Sequence, residues 1–271
     1  MRTASTPPQL TAPAAGRRSA PDDPLPAGGL IASYGDLRRG GALVMHGATV
    51  RFPVGACIGL VGMNGSGKST LLLALAGLLR DATVVWHPAP TIGYVPQHPA
   101  FPDDVPIDRL LAVHALARAD IAAIDATCLP PERSARARDL TTLSGGQRQR
   151  LAVAIALARG DPLVFMDEPF ANVDIPTRRT LIDAIRTRRR VQPEVTILLS
   201  SHLAADLHAL CDRVIVLRDG RAVFTGPVDE LHTDVEPAGS AGPAERFERA
   251  ISAMLIGERP FRPTPTGATF D

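Results

Sequence analysis

Lysine is nearly absent from this chain. Of its 29 basic residues one is lysine, Lys68, and the rest are arginine. Excess charge of either sign is missing as well. A formal net charge of +1 over 271 residues provides no global field to draw the chain onto nucleic acid or an anionic membrane. Arg188-Arg189-Arg190, with Arg186 nearby, is a local basic run that reads as the solvated end of a surface helix. Cysteine is scarce. Cys57, Cys128 and Cys211 are far apart and form no C-x-x-C pair, so metal-site spacing is absent and the odd count suits a reducing cytosol. No stretch reaches the roughly 18–20 consecutive apolar residues of a membrane span; the run over 71–79 is too short and ends at Arg80-Asp81. No apolar segment follows Arg2 as it would in a signal peptide. These absences lead to the expectation of a soluble, cytoplasmic chain without a nucleic-acid partner.

What is present is enough apolar residue, 45%, for one large α/β domain or a main domain with a small subdomain. The single lysine lies in Gly62-Met63-Asn64-Gly65-Ser66-Gly67-Lys68-Ser69-Thr70, which fits the phosphate-binding pattern G-x-x-x-x-G-K-[ST]. The arginine fork cannot replace a compact ammonium on a flexible stem inside a tight loop of N–H groups. Residues 54–61 read as a buried strand and 71–79 as a helix, so the glycines fall on a strand-to-helix turn. There the backbone N–H groups converge on a β-phosphate, aided by the helix N-terminus. Lys68 is placed to reach the β- and γ-phosphates of ATP, and the Ser69 hydroxyl to ligate Mg²⁺.

Residues 1–28 are rich in Pro and Ala without apolar periodicity and are expected to be a disordered tail. Strands are expected over 30–34, 42–52, 54–61, 84–86, 91–95, 163–166, 195–199 and 214–217, with a hairpin through Asp219-Gly220 into 222–225. Residues 104–140 read as helical with a break at Pro130-Pro131, 148–159 as a helix stopped by Gly160, and 245–256 as one more. The expected organisation is an α/β domain over 29–234, with a helical subdomain at about 98–143 and a small antiparallel β-region. A partly disordered extension follows over 235–271.

Two acids, Asp167-Glu168, close the apolar run Leu163-Val164-Phe165-Met166, 99 residues after Lys68. A buried strand ending in paired carboxylates beside a phosphate loop suits Mg²⁺ work: Asp167 holds the ion through water and Glu168 polarises the attacking water. Leu143-Ser144-Gly145-Gly146-Gln147 is the decisive element. It resembles the signature of the ATP-binding subunits of ABC transporters, where Ser-Gly-Gly at a helix N-terminus forms a second anion site. The resemblance covers about residues 30–230 and implies a P-loop NTPase sandwich of ABC ATPase type. It implies that Tyr34 stacks on adenine, that Gln97 touches Mg²⁺ and the water, that Asp174 communicates across a dimer, and that His202 contacts the γ-phosphate. It also implies ATP turnover in a head-to-tail dimer. In that dimer Ser144, Gly145, Gly146 and Gln147 of one copy complete the site holding Lys68, Gln97, Glu168 and His202 of the other.

Partners implied are a transmembrane permease, a second ATP-binding subunit (a copy or a paralogue) and, as a further candidate, a substrate-binding protein. The chain would then sit peripherally on the inner face of the membrane. Three features depart from the pattern: Leu203 stands where relatives carry Asp, Val173 where many carry Leu, and the Lys68-to-Gln97 span is short. Segments 92–97 and 167–171 look like the metal-ion importer branch, whereas Ser200-Ser201-His202-Leu203 looks more like exporters. The 46 residues between Gln97 and Ser144 cannot hold the long coiled coil of DNA-repair relatives. One motif set argues against the two-domain translation relatives, and intact Glu168 and His202 argue against a scaffold that binds ATP without turnover.

Overall fold

A computed structural model describes residues 29–103, 105–129, 140–233 and 242–257, together with the backbone of a two-residue strand at 269–270. The expected tail over 1–28, the Pro130-Pro131 break and the whole stretch 234–241 lie outside them.

Six strands form the main sheet, in the order β11-β10-β5-β9-β8-β7. They are β5 (Cys57–Gly62), β7 (Ile92–Val95), β8 (Leu163–Met166), β9 (Thr196–Ser200), β10 (Arg213–Arg218) and β11 (Arg221–Pro227). The first five run parallel, and β11 pairs antiparallel with β10 at one edge. Every residue of β5, β8 and β9 is buried, as near-continuous apolar runs require when both faces of a parallel sheet are covered. One face carries α4 (Gly145–Ala158), α5 (Ile175–Val191), α6 (Ala204–Leu210) and α8 (Pro243–Ile256), packed around Val153, Leu181, Ile185, Leu207 and Phe247. α7 (Glu230–Thr233) is a single turn ahead of α8.

The other face meets α1 (Lys68–Leu75) and a smaller antiparallel sheet, in which β1 (Leu30–Tyr34) lies between β4 (Ala48–Phe52) and β6 (Val84–His87). The strand β12 (Thr269–Phe270) adds parallel to β4. Phe52, Trp86 and Phe165 join the two sheets, with ring centroids 5.4, 6.0 and 6.5 Å apart. Such pairs contribute about 0.5–1.5 kcal/mol each beyond their buried area. The strand expected over 42–52 is in fact two. β3 (Ala42–Met45) pairs with β2 (Leu37–Arg39) as a hairpin, and the chain breaks at His46-Gly47, where the Gly47 N–H donates to Asp36 Oδ1 at 2.9 Å.

α2 (Ile107–Val113) and α3 (Arg118–Ile124) pack on α4 around Ile107, Leu111, Ile121, Leu140 and Leu151. This cluster is separate from the two that cover the main sheet. Arg150 of α4 forks onto Asp125 at the end of α3, at 2.6 and 2.7 Å. That pairing holds the Asp125 carboxyl below its ordinary range against the opposing pull of burial. α5 shows why its boundaries were hard to read from the sequence. Its buried Leu181, Ala184, Ile185 and Arg188 form a narrow stripe on an arginine-rich helix. Only the side chain of Asp174, accepting from the Thr177 N–H at 2.7 Å, marks its start.

Candidate active site

The carboxyl ends of β5, β7, β8 and β9 converge, the position where open parallel sheets hold ligands. β5 leads into the loop of residues 62–67, and α1 starts at Lys68. The loop fits bound phosphate because of what its glycines lack. A Cβ on Gly62 would lie 2.4 Å from Ser66 Oγ, and one on Gly67, at φ 103°, would lie 2.6 Å from Met45 Cγ. Neither position admits a side chain, so the loop backbone stays open to close approach by a ligand, while within the loop the Ser66 N–H donates to the Met63 carbonyl at 3.1 Å. The Ser66 hydroxyl is buried without a hydrogen-bond partner among the described residues. Lys68 Nζ donates to the Gly62 and Met63 carbonyls at 2.8 and 3.3 Å, leaving one proton to point outward.

β8 delivers the acids. The Asp167 N–H donates to the Val95 carbonyl at 2.9 Å, which fixes Asp167 beside the end of β7. Glu168 follows in a left-handed backbone (φ 47°), a conformation that costs a non-glycine residue about 1–3 kcal/mol and clusters at functional sites. Ser200, at the end of β9, holds both acids: its hydroxyl donates to Asp167 Oδ1 at 2.8 Å and accepts from the Glu168 N–H at 2.8 Å. Glu168 itself is nearly buried and spans the site. Its Oε1 is 3.7 Å from Lys68 Nζ, and its Oε2 is 2.9 Å from Nδ1 of the exposed His202.

Gln97, at the end of the β7 segment, is exposed and shares with Lys68, Ser69, Thr70 and Glu168 a cleft of about 500 Å³. A larger cleft of about 970 Å³ continues past Asn64, Gln97 and Glu168 to His202, Leu203 and α8. The side-chain oxygens that could hold Mg²⁺ are the Ser69 hydroxyl and the Gln97 amide, which line the smaller cleft, and the buried Asp167 carboxylate. No cluster of three His, Cys, Asp or Glu suited to a metal occurs among the described residues. Such a sparse protein set suits an ion that takes most of its oxygens from water and nucleotide phosphates.

Other expected residues lie elsewhere. Ser144 caps α4 in a reciprocal box with Gln147, at 3.2 and 2.8 Å. With Gly145, Gly146 and Asp174 it belongs to a separate surface, where a Cβ on Gly146 would lie 3.4 Å from Thr177 Oγ1. None of residues 144–147 lines either cleft. Hydrogen bonds from Thr177 hold the exposed Asp174 carboxyl below its ordinary range. Tyr34, expected on adenine, ends β1. It is 7% exposed, packed in the core with Leu37 and Met45, and burial pushes its phenol up. Arg39 and Val44 of the β2–β3 hairpin line the smaller cleft, residues that the sequence did not single out. Ser200 was in view only as part of a motif. Its role depends on β8 and β9 being neighbours, which no local signal states.

A glycine-bounded phosphate loop followed by a helix, facing paired acids on a nearby parallel strand, defines a P-loop nucleoside triphosphatase fold. Comparison with known proteins narrows this. The family model described as "ABC transporter" matches residues 45–171. The phosphonates import ATP-binding protein PhnC 2 of Rhodopseudomonas palustris is 33% identical over 227 residues, covering 74% of this chain and 80% of that protein. The zinc import ATP-binding protein ZnuC of Paramagnetospirillum magneticum is 37% identical over 188 residues, covering 67% and 70%. A solved structure described as the ATP-binding subunit of an ABC transporter superposes with a TM-score of 0.64 at 22% identity, covering 83% of this chain and 99% of that one. The chain belongs to the family of ABC transporter ATP-binding subunits. No helix among the described residues is long and apolar enough to cross a membrane.

Proposed function

We propose that this chain hydrolyses ATP and that the hydrolysis drives substrate movement through a transmembrane permease. The observation that carries the reading is the convergence of Lys68 and His202 on the two oxygens of one strained, nearly buried carboxylate, Glu168. In this reading the loop N–H groups and Lys68 bind the β- and γ-phosphates. Glu168 orients water and accepts its proton, and His202 holds Glu168 and faces the γ-phosphate. Bound Mg²⁺, held by Ser69, Gln97 and Asp167, would neutralise charge on the phosphates. The separation of residues 144–147 from the clefts supports a site completed by a second subunit, a copy or a paralogue, in head-to-tail contact. The short Asp174 turn, capping α5 beside that surface, fits a role in communication between the two sites.

Import is the favoured direction, since the relatives described above are named for import. Metal-ion cargo is favoured by their zinc member together with the resemblance at residues 92–97 and 167–171. A substrate-binding protein outside the membrane would accompany an importer. Attachment to the inner membrane face is assigned to the permease.

The permease contact has a testable location. Phe101, half-buried against the helical cluster, lines a groove of about 210 Å³ with Pro99, Ala100, His114 and Ile155, next to the Gln97 segment. Phe101→Asp is expected to leave basal ATP hydrolysis within about twofold of wild type and to abolish co-purification with a polytopic membrane protein. A thermal melt separates docking from packing, because losing a core contact of this kind costs about 3–5 kcal/mol. Retained co-purification, or a melt lowered to the point of unfolding, would remove Phe101 from the docking surface.

A further inference from the structure

The segment that carries His202 is held from behind by a pair of charges that the reading above leaves unused. β9 ends at Ser200 and α6 begins at Ala204, so Ser201, His202 and Leu203 form the turn between them. Leu203 takes the N-cap place of α6 and offers no side-chain hydrogen bond there, as an aspartate or serine would. The turn finds its support instead in Ser201 and Asp206, which are 2% and 3% exposed. The Ser201 hydroxyl accepts from the Leu203 N–H at 3.1 Å and lies 3.5 Å from Asp206 Oδ2. The Asp206 N–H donates to the Leu203 carbonyl at 3.2 Å. Arg178 reaches the same acid from α5, a helix anchored in the core by its buried Leu181 and Ile185. Arg178 Nε donates to Asp206 Oδ1 at 2.7 Å, and Nη2 bonds the same oxygen.

We infer that Arg178 and Asp206 are positioning residues for His202, setting the turn that presents its ring and its N–H together to Glu168. This rests on the roles proposed above for His202 and Glu168 and adds what keeps the two in register. The His202 N–H lies 3.3 Å from Glu168 Oε2, and Nδ1 lies 2.9 Å from it. Both contacts follow the backbone of the turn. A displacement of about 1 Å there weakens both at once, and misplacement on that scale costs about a hundredfold in rate. Arg178 lines the larger cleft with His202 and Leu203. Two of its three guanidinium nitrogens are nevertheless engaged by Asp206, which favours support of the turn over contact with nucleotide. Asp206, nearly buried, needs that cation in return.

The test is steady-state ATP hydrolysis by the full chain. Arg178→Ala alone endangers the fold, since it leaves the Asp206 charge unpaired. The pair is therefore replaced together by Arg178→Met and Asp206→Leu, because apolar exchange of a buried ion pair is often neutral or stabilising. This double variant is expected to lose about 10- to 100-fold in kcat. Its KM for ATP should stay within about twofold of wild type, and its thermal melt should be no lower. Arg178→Lys is expected to keep kcat within about threefold of wild type, since both arginine nitrogens serve one oxygen and a single ammonium can replace them. Added to His202→Ala, the apolar pair is expected to cost nothing further, because its effect passes through His202. A wild-type kcat in the apolar pair overturns the assignment. So does a loss carried by KM or matched by a lowered melt, a lysine variant as slow as the apolar pair, or a full additional loss in the His202→Ala background. His202→Ala by itself reports on the underlying site. Turnover at the wild-type rate in that variant would remove His202 from the chemistry, whatever Arg178 and Asp206 do.

Discussion

Glu168→Gln is expected to bind ATP and to turn it over slower than wild type by at least about a thousandfold. General-base action contributes typically about 10²–10⁴-fold, and here one carboxylate would both orient the water and take its proton. The change is nearly isosteric, so the left-handed backbone at Glu168 and the Ser200 hydrogen bond to its N–H are kept. What disappears is the negative charge 3.7 Å from Lys68 Nζ, and one of the two carboxylate oxygens shared between Lys68 and His202 becomes an NH₂ donor. With the γ-phosphate left in place, two chains should remain joined, and size-exclusion chromatography should show a dimer that needs ATP. Wild-type turnover by this variant would move the general-base role to another group. A monomer with slow turnover would leave the chemistry standing and weaken only the dimer.

Lys68→Arg is expected to lose hydrolysis by about 10²–10³-fold while keeping both charge and fold. Lys68 is 7% exposed and directed at the Gly62 and Met63 carbonyls. A guanidinium is broader and planar, and cannot make that compact contact while also reaching a phosphate from the same stem. The composition gives this substitution its interest: arginine fills every other basic position in the chain, so arginine is the replacement the chain makes elsewhere. Nucleotide binding should weaken along with turnover, and a thermal melt should stay close to wild type. Hydrolysis at the wild-type rate by a folded Lys68→Arg chain would contradict the phosphate-loop assignment.

The α/β class, the phosphate loop on its strand-to-helix turn and the buried strand ending in two acids were legible because each is written in consecutive residues. Apolar runs such as Leu163-Val164-Phe165-Met166 state their own burial, and G-x-x-x-x-G-K-[ST] states its own turn. Relations across the sheet are less visible. Ser200 serves Asp167 and Glu168 only because β9 pairs with β8, a fact of topology that no window of sequence contains. Arg39 and Val44 reach the cleft through the β2–β3 hairpin. In the sequence that hairpin looked like the front of one longer strand, because its break at His46-Gly47 depends on the distant Asp36. Tyr34 shows how strand alternation bears on one position. It ends β1, whose alternation places it on the same buried side as Leu30 and Ala32. Of α5 only the basic end was legible, and even there Arg188 is buried rather than solvated, because the arginines mask a narrow buried stripe.

The central proposal is a site shared between two subunits, with Lys68 and Glu168 from one and Ser144 from the other. The direct measurement is ATP turnover by a mixture of two inactive chains. Ser144→Arg blocks the surface it presents to a partner but leaves its own phosphate loop intact, and Lys68→Ala does the reverse. Each alone should be nearly inactive. Mixed, they should form dimers with one intact composite site, recovering up to about a quarter of wild-type turnover at equal concentrations if copies are equivalent and pair at random. Activity in either chain alone, or no recovery at any ratio once mixed dimers are demonstrated by mass, would contradict the shared site.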